Sequence, residues 1–101
     1  MNIAIVGATG NVGRKILEVL ENKSFPVDSL YLVASSKSAG SKLKFKGKQI
    51  EVENLETFDF SKSEITFFSA GGKISEKYAP LAAKHSLVID NSSYFRMDPD
   101  V

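Results

Sequence analysis

The 101-residue sequence contains no cysteine and only one histidine, His85. The first absence removes disulfides, thiolate zinc sites and cysteine nucleophiles together. The second leaves too few imidazoles for a metal site, and no carboxylates gather around His85 in sequence. Near a helix end, His85 is expected to interact with backbone carbonyls. Charge of one sign is also lacking: the formal net charge is +1, which gives no reason to expect nucleic acid or an anionic membrane as partner. No apolar run approaches the roughly 20 residues of a membrane span. The apolar start Met1–Val6 carries no basic leader and breaks at Gly7, so it reads as a strand rather than a signal peptide, and the cytoplasm is the expected location. With 43% hydrophobic and 25% charged residues, the composition is that of one globular domain over residues 1–101, without repeats or low-complexity segments.

The order of apolar patterns sets the fold class. Ile3-Ala4-Ile5-Val6 is a short continuous apolar run ended by glycine, the signature of a strand buried on both faces. Helical spacing follows at once, with Val12, Ile16, Val19 and Leu20 as the expected core face and Arg14, Lys15, Glu18 and Glu21 between them. Leu30–Ala34 is a second strand, completing a βαβ unit. From Lys42 the residues alternate strictly through Lys46, turn at Gly47-Lys48, and alternate again over Gln49–Glu53. This pattern predicts a hairpin with one dry face and one wet face. Its four lysines, Lys42, Lys44, Lys46 and Lys48, are read as the solvated face of edge strands, offset by the glutamates of the returning strand. A third buried strand is predicted over Ile65–Ser69, a helix over Ser75–Lys84 with Pro80 leaving its start open, a strand over Leu87–Asp90, and a loop from Asn91 to Val101. Alternating strands and helices of this kind make a Rossmann-like, doubly wound α/β domain, with a mainly parallel sheet and a hairpin insertion.

In such sheets ligands bind beyond the carboxyl ends of the parallel strands. The segments found there are Gly7–Gly10, Ser35–Gly40, Ser69–Gly72 and Asn91–Ser93, all small, polar or glycine-rich. Gly7, Gly10 and Gly13 form a GxxGxxG turn between a buried strand and an amphipathic helix. Glycines there permit a sharp exit from the strand and a close approach of backbone to a pyrophosphate, which the free N–H groups of the helix N-terminus then bind. A dinucleotide is the expected ligand. The end of the second strand reads Ala34-Ser35-Ser36-Lys37-Ser38 and lacks the carboxylate that would bind an NAD ribose. Serines and a lysine accept a 2′-phosphate instead, which favours NADP. Arg96, beyond the last strand and beside Tyr94 and Phe95, is a candidate for a substrate carboxylate or phosphate.

Taken together, the segments Ile3–Gly13, Ala34–Gly40, Phe68–Gly72 and Val88–Met97 resemble the N-terminal domain of aspartate-semialdehyde dehydrogenase. The resemblance covers nearly the whole chain, and its last segment is the most specific. It implies a protein that makes L-aspartate 4-semialdehyde from L-aspartyl 4-phosphate with NADPH, in the biosynthesis of lysine, threonine and methionine. The partner is then a small acyl-phosphate substrate, with no nucleic acid or membrane, and the full-length enzyme is a homodimer or larger. By position, Gly7, Thr9, Gly10, Asn11, Val12 and Gly13 would hold the pyrophosphate. Ser35, Lys37 and Ser38 would take the 2′-phosphate end, and Ser69, Ala70 and Gly71 would line the cofactor further along. Arg96 and Asn91 would contact the substrate's phosphate. The family usually has arginine where Lys37 stands. The cysteine nucleophile and the histidine of the family mechanism lie beyond Val101, so the resemblance implies a piece of a longer polypeptide with no catalytic residue of its own. N-Acetyl-gamma-glutamyl-phosphate reductase, which shares the opening motif, and a non-catalytic NADP-sensing regulator are the alternatives.

Overall fold

Ile3, Ala4, Ile5 and Val6 have no solvent exposure at all, because their strand lies in the middle of a sheet covered on both faces. The computed structural model describes residues 1–23 and 26–90. Along the chain these form β1 (Asn2–Val6), α1 (Asn11–Asn22), β2 (Ser29–Ala34), β3 (Lys42–Phe45), β4 (Lys48–Asn54), a 3-10 turn (Phe60–Lys62), β5 (Ile65–Phe68), α2 (Gly72–Ala82) and β6 (Leu87–Asp90). The six strands are ordered β3-β4-β2-β1-β5-β6, and every pairing is parallel except β3 with β4. This is the doubly wound α/β architecture expected from the pattern.

Side chains alternate across the sheet, so each strand feeds two cores. On one face Ile3, Ile5, Leu32, Val52 and Phe45 pack with Leu17 and Leu20 of α1. On the other, Ala4, Val6, Val33 and Phe68 pack with Leu55, Phe58, Phe60 and Ala82. The second core includes a segment with no strand or helix periodicity, residues 55–62, for which the sequence pattern predicts no element. It carries the chain from β4 to β5 through an aromatic chain: Phe58 meets Phe60 edge-on at 5.1 Å, and Phe60 stacks on Phe68 at 6.1 Å. Such ring pairs add about 0.5–1.5 kcal/mol each beyond their burial, which supports a connection with little backbone pairing of its own. The Asp59 carboxylate accepts hydrogen bonds from the Ser61 hydroxyl (2.7 Å) and backbone N–H (3.0 Å), and these hold its pKa below the usual carboxylate value.

Several sequence expectations are corrected here. The buried face of α1 is Gly13, Leu17 and Leu20, whereas Val19, expected in the core, is 44% exposed. The rotation follows from Gly13, where a Cβ would stand 2.1 Å from the Gly7 carbonyl oxygen. The helix can approach the turn this closely only with its glycine facing it. The hairpin turns at Lys46-Gly47, not Gly47-Lys48: Phe45 pairs with Lys48, and both turn residues have positive φ (50° and 81°), as tight hairpin turns require. Of the two hairpin strands only β3 lies at the sheet edge, since β4 pairs with β2. Helix α2 begins at Gly72 and ends at Ala82, earlier at both ends than the predicted Ser75–Lys84, and contains Pro80. Strand β5 was expected to be buried on both faces. Thr66 and Phe68 are, but Ile65 and Phe67 are only half-buried. The predicted loop from Asn91 onward lies outside the described residues.

Candidate functional site: a glycine-turn cleft at the switch point

Connections from β1 lead outward through β2 to β4, whereas β5 leads the opposite way to β6. The direction of winding reverses between the parallel neighbours β1 and β5, and their carboxyl ends open a crevice. Each of the two strands runs through a glycine-rich turn into a helix, α1 or α2, whose N-cap is a glycine, Gly10 or Gly71. Neither helix has a side-chain cap or an acidic residue in its first turn. The leading N–H groups of α1 and the positive end of its dipole therefore face the crevice without an internal anion, whereas at the start of α2 the Asp90 carboxylate accepts from the Ser75 hydroxyl.

The first turn is tightly built. Gly7 has φ +87°, a conformation costly for any side chain, and a Cβ there would press on the backbone of Ser69 and Ala70 at 2.9 Å. Its N–H donates to the Val33 carbonyl at 2.7 Å. The Ser69 hydroxyl donates to the Val6 carbonyl at 2.9 Å and the Ser69 N–H to the same oxygen at 2.9 Å. The turn is thus tied to both neighbouring strands. Gly10 differs from its two companions: its φ is −80° and a Cβ would meet only the Gly7 carbonyl oxygen, at 3.5 Å. Protein atoms do not fill the space above it.

That space belongs to a cleft of about 340 Å³ lined by Val6, Gly7, Thr9, Gly10, Ala34, Ser35, Leu55, Ser69, Ala70 and Ile74, a volume within the range of small-molecule sites. The predicted residues Gly7, Thr9, Gly10, Ser35, Ser69 and Ala70 are brought together there. Asn11 and Val12 form the first turn of α1 beside it, and Gly13 lies beneath, against Gly7. Ser38 reaches the group through its hydroxyl, which accepts from the Thr9 hydroxyl at 3.4 Å. Lys37 sits exposed on the compact 35–41 loop, outside the cleft lining, and Gly71 lies at the α2 end. Asn91 and Arg96 lie outside the described residues. His85 is exposed beyond the carboxyl end of α2, at the opposite edge of the sheet from the cleft; its backbone N–H donates to the Ala82 carbonyl at 3.0 Å.

Val6, Ala34, Leu55 and Ile74 are the lining residues that sequence reasoning missed. Leu55 follows β4, whose carboxyl end lies at the same edge because β4 is parallel to β2, and its N–H donates to the Ala34 carbonyl at 2.8 Å. Reading β4 as one arm of an edge hairpin concealed that its end belonged to the cleft. A larger depression of about 710 Å³ runs along the outer flank of α2, by Lys73, Glu76 and Asp90. It is lined by the carboxylates of Glu76 and Asp90, which repel phosphate, so the dinucleotide reading stays with the glycine-turn cleft.

A parallel doubly wound sheet with a glycine turn and an uncapped helix at its switch point defines a dinucleotide-binding domain of the Rossmann type. The chain belongs to the semialdehyde dehydrogenase family: residues 2–101 match its NAD binding domain, which supports a nicotinamide dinucleotide as cofactor. It is 50% identical over 101 residues to an aspartate-semialdehyde dehydrogenase of Shewanella violacea, covering 99% of this chain and 30% of that protein. It is 54% identical to one of Aquifex aeolicus, covering 98% and 30%. The crystal structure of aspartate semialdehyde dehydrogenase II from Vibrio cholerae, complexed with ASA, superposes with a TM-score of 0.88 at 53% identity, covering 98% of this chain and 33% of that one. The chain therefore spans about a third of the length of the relatives it matches. No described helix is long and apolar enough to cross a membrane.

Proposed function

We propose that residues 1–101 are the N-terminal NADP-binding domain of an oxidoreductase that reductively dephosphorylates L-aspartyl 4-phosphate to L-aspartate 4-semialdehyde. The observation that carries the cofactor reading is the uncapped N-terminus of α1, which opens past the side-chain-free Gly10 onto the cleft. The N–H groups of Asn11, Val12 and Gly13 donate to pyrophosphate oxygens there, aided by the helix dipole. Gly7 and Ser69 hold the turn in position, and Thr9 steers its hydroxyl between the phosphates and Ser38. Ala34, Leu55 and Ile74 make the apolar end of the cleft. Being next to the 35–41 loop, this end takes the flat adenine. Ser35, Lys37 and Ser38 take the 2′-phosphate, with no carboxylate in the 35–41 loop to repel it. Small Ala70 and Gly71 let the cofactor pass toward α2.

The bound nicotinamide supplies the reducing equivalent. This chain has no cysteine to accept the acyl group, so it binds and positions without turning over; the nucleophile and its histidine belong to the rest of a polypeptide of the relatives' length. Arg96 and Asn91 take the substrate's phosphate, and the whole enzyme is a cytoplasmic homodimer or larger serving lysine, threonine and methionine synthesis.

Titration calorimetry with NADP and NAD tests the cofactor reading. NADP is expected to bind more tightly, and Lys37→Ala to weaken NADP about tenfold, the worth of one charged hydrogen bond, while leaving NAD unchanged. Equal or tighter NAD binding overturns the NADP assignment. For the long polypeptide, phosphate- and NADP-dependent oxidation of aspartate semialdehyde is the expected activity. Turnover of the acetylglutamate semialdehyde in its place overturns the substrate assignment.

A further inference from the structure

Helix α1 carries a cation, Arg14, that neither the core nor an ion pair uses. The Arg14 backbone N–H donates to the Gly10 carbonyl at 3.0 Å, which places the residue directly behind the glycine turn. Its side chain is exposed, and among the described residues it makes no ion pair or side-chain hydrogen bond. The carboxylates nearest to it along the helix are engaged elsewhere. Glu18 pairs with Lys15 at 3.7 Å, and Glu21 accepts from the Lys46 N–H.

Two anchors fix where that side chain lies. Helix α1 and strand β3 both run away from the carboxyl edge of the sheet, and the bond from Lys46 to Glu21 holds them in step at the hairpin turn. Arg14 stands two helical turns before Glu21, about 10 Å back along the axis. The same distance back along β3, at about 3.4 Å per residue, leads from Lys46 to Leu43. Arg14 shares one depression with Leu43 and Lys44, in agreement. Helical side chains lean toward the N-terminus of their own helix, so from this level Arg14 is directed back toward residues 35–41 and away from the hairpin turn. The second anchor is the Thr9 hydroxyl, which donates to the Ser38 hydroxyl at 3.4 Å and holds that loop against the glycine turn. The loop is closed on itself, with the Ser38 and Ala39 N–H groups on the Ser35 carbonyl at 2.9 and 3.0 Å. Arg14 therefore approaches from α1 the same loop that carries Lys37.

We infer that Arg14 is a second cation for the 2′-phosphate of NADP and sets the preference for NADP over NAD together with Lys37. The inference rests on the NADP reading of the 35–41 loop, and charge supports it. A phosphate monoester carries about −1.5 to −2 at neutral pH, and Lys37 balances only one charge. Lys42, where the loop enters β3, stands opposite Glu51 and is offset by it. From Ser35 to Ile50 the sequence has no carboxylate to draw Arg14 away or to repel the phosphate. A guanidinium also grips two phosphate oxygens at once, where an ammonium makes a point contact. NAD has a hydroxyl at that position and gains nothing from Arg14.

Equilibrium titration of the protein with NADP, NAD, adenosine 2′,5′-bisphosphate and 5′-AMP tests the inference. Arg14→Ala is expected to weaken NADP and the bisphosphate about tenfold, with NAD and 5′-AMP changed by less than about twofold and the melting temperature kept. Arg14→Lys keeps the charge without the fork and falls between. Lys15→Ala removes the same charge one residue along, where the ammonium pairs with Glu18, and is expected to hold the NADP-to-NAD ratio within about twofold. If the unsubstituted protein prefers NADP and Arg14→Ala keeps that ratio, the inference is overturned and the NADP reading stands. If the unsubstituted protein binds NAD as tightly as NADP, both fall. Equal losses of NADP and NAD in Arg14→Ala overturn the inference too, by assigning the residue to the shape of the glycine turn. So does an equal loss of the ratio in Lys15→Ala, since the general field of the helix then accounts for the selection.

Discussion

Two glycine turns lie side by side at the carboxyl edge of the sheet, and they are built differently. Gly7 and Gly13 are glycines because protein leaves them no room: a Cβ on either would strike backbone, at 2.9 Å and 2.1 Å respectively. Gly71 has φ +103° and nothing within 4 Å of a Cβ, so its requirement is conformational alone. The first turn is packed between β5 and α1, and the second is open. Gly10 belongs to neither type, having ordinary φ and an empty neighbourhood. A glycine needed neither for packing nor for conformation points to a ligand. Equal spacing of Gly7, Gly10 and Gly13 thus conceals two separate physical reasons for the same residue, and Gly71 adds a third.

Substitutions can break this comparison. The largest effect is expected for Gly13→Ala, which forces α1 off the turn. Overpacking against rigid backbone makes about 3 kcal/mol or more a fair expectation, a fall on the order of 15 °C in melting temperature for a domain of this size. A melting temperature unchanged within a few degrees would show that the contact between α1 and Gly7 relaxes easily. Gly10→Val comes next but acts on a different quantity. Melting should shift little, while dinucleotide affinity by calorimetry should fall about a hundredfold, because the side chain occupies phosphate space and blocks charged hydrogen bonds. Retained binding would remove the pyrophosphate from this turn. Gly71→Ala is expected to cost about 1–2 kcal/mol from backbone strain, without the steric collapse of Gly13→Ala. A loss as large as that of Gly13→Ala would erase the distinction between the two turns.

The smallest effect lies at Asp59, which belongs to neither turn. Its carboxyl pKa is lowered, first by the Ser61 hydroxyl and then by the Ser61 N–H. The folded state therefore binds the proton less readily than the unfolded chain. This contribution to stability is complete above the unfolded value near 3.8 and fades as pH falls through the lower folded value. Asp59→Asn should therefore lower stability slightly above about pH 4 and leave it unchanged in stronger acid, flattening the acid limb. A difference that instead grows as pH falls would contradict the assignment.

Much of this was readable along the chain. A run such as Ile3–Val6 followed by spaced glycines and an amphipathic stretch has few physical solutions, and the parallel strand with its turn and helix was recovered. The hairpin and the β5–α2–β6 unit were recovered for the same reason, because their periodicity is local. What failed depended on contacts that spacing along the chain does not encode. The rotation of α1 was misread because the Val12, Ile16, Val19 stripe is as apolar as the stripe that is buried; contact between Gly13 and Gly7 chooses between them. Residues 55–62 have no periodicity, since rings falling into a core hold them rather than a ladder of backbone bonds. Leu55 was missed as a cleft residue because only the parallel pairing of β4 with β2 brings its strand end to the shared edge.

By itself, the sequence determined the fold class, the glycine turn, the serine-lysine loop with no carboxylate, and the lack of any cysteine nucleophile in these 101 residues. Those properties reside in residue types and short spacings, which need no distant partner. The tertiary structure alone decided which glycine faces empty space and which apolar stripe of α1 is buried. Burial and close approach are set by what lies on the other side of a contact, and that is supplied by strands and helices tens of residues away.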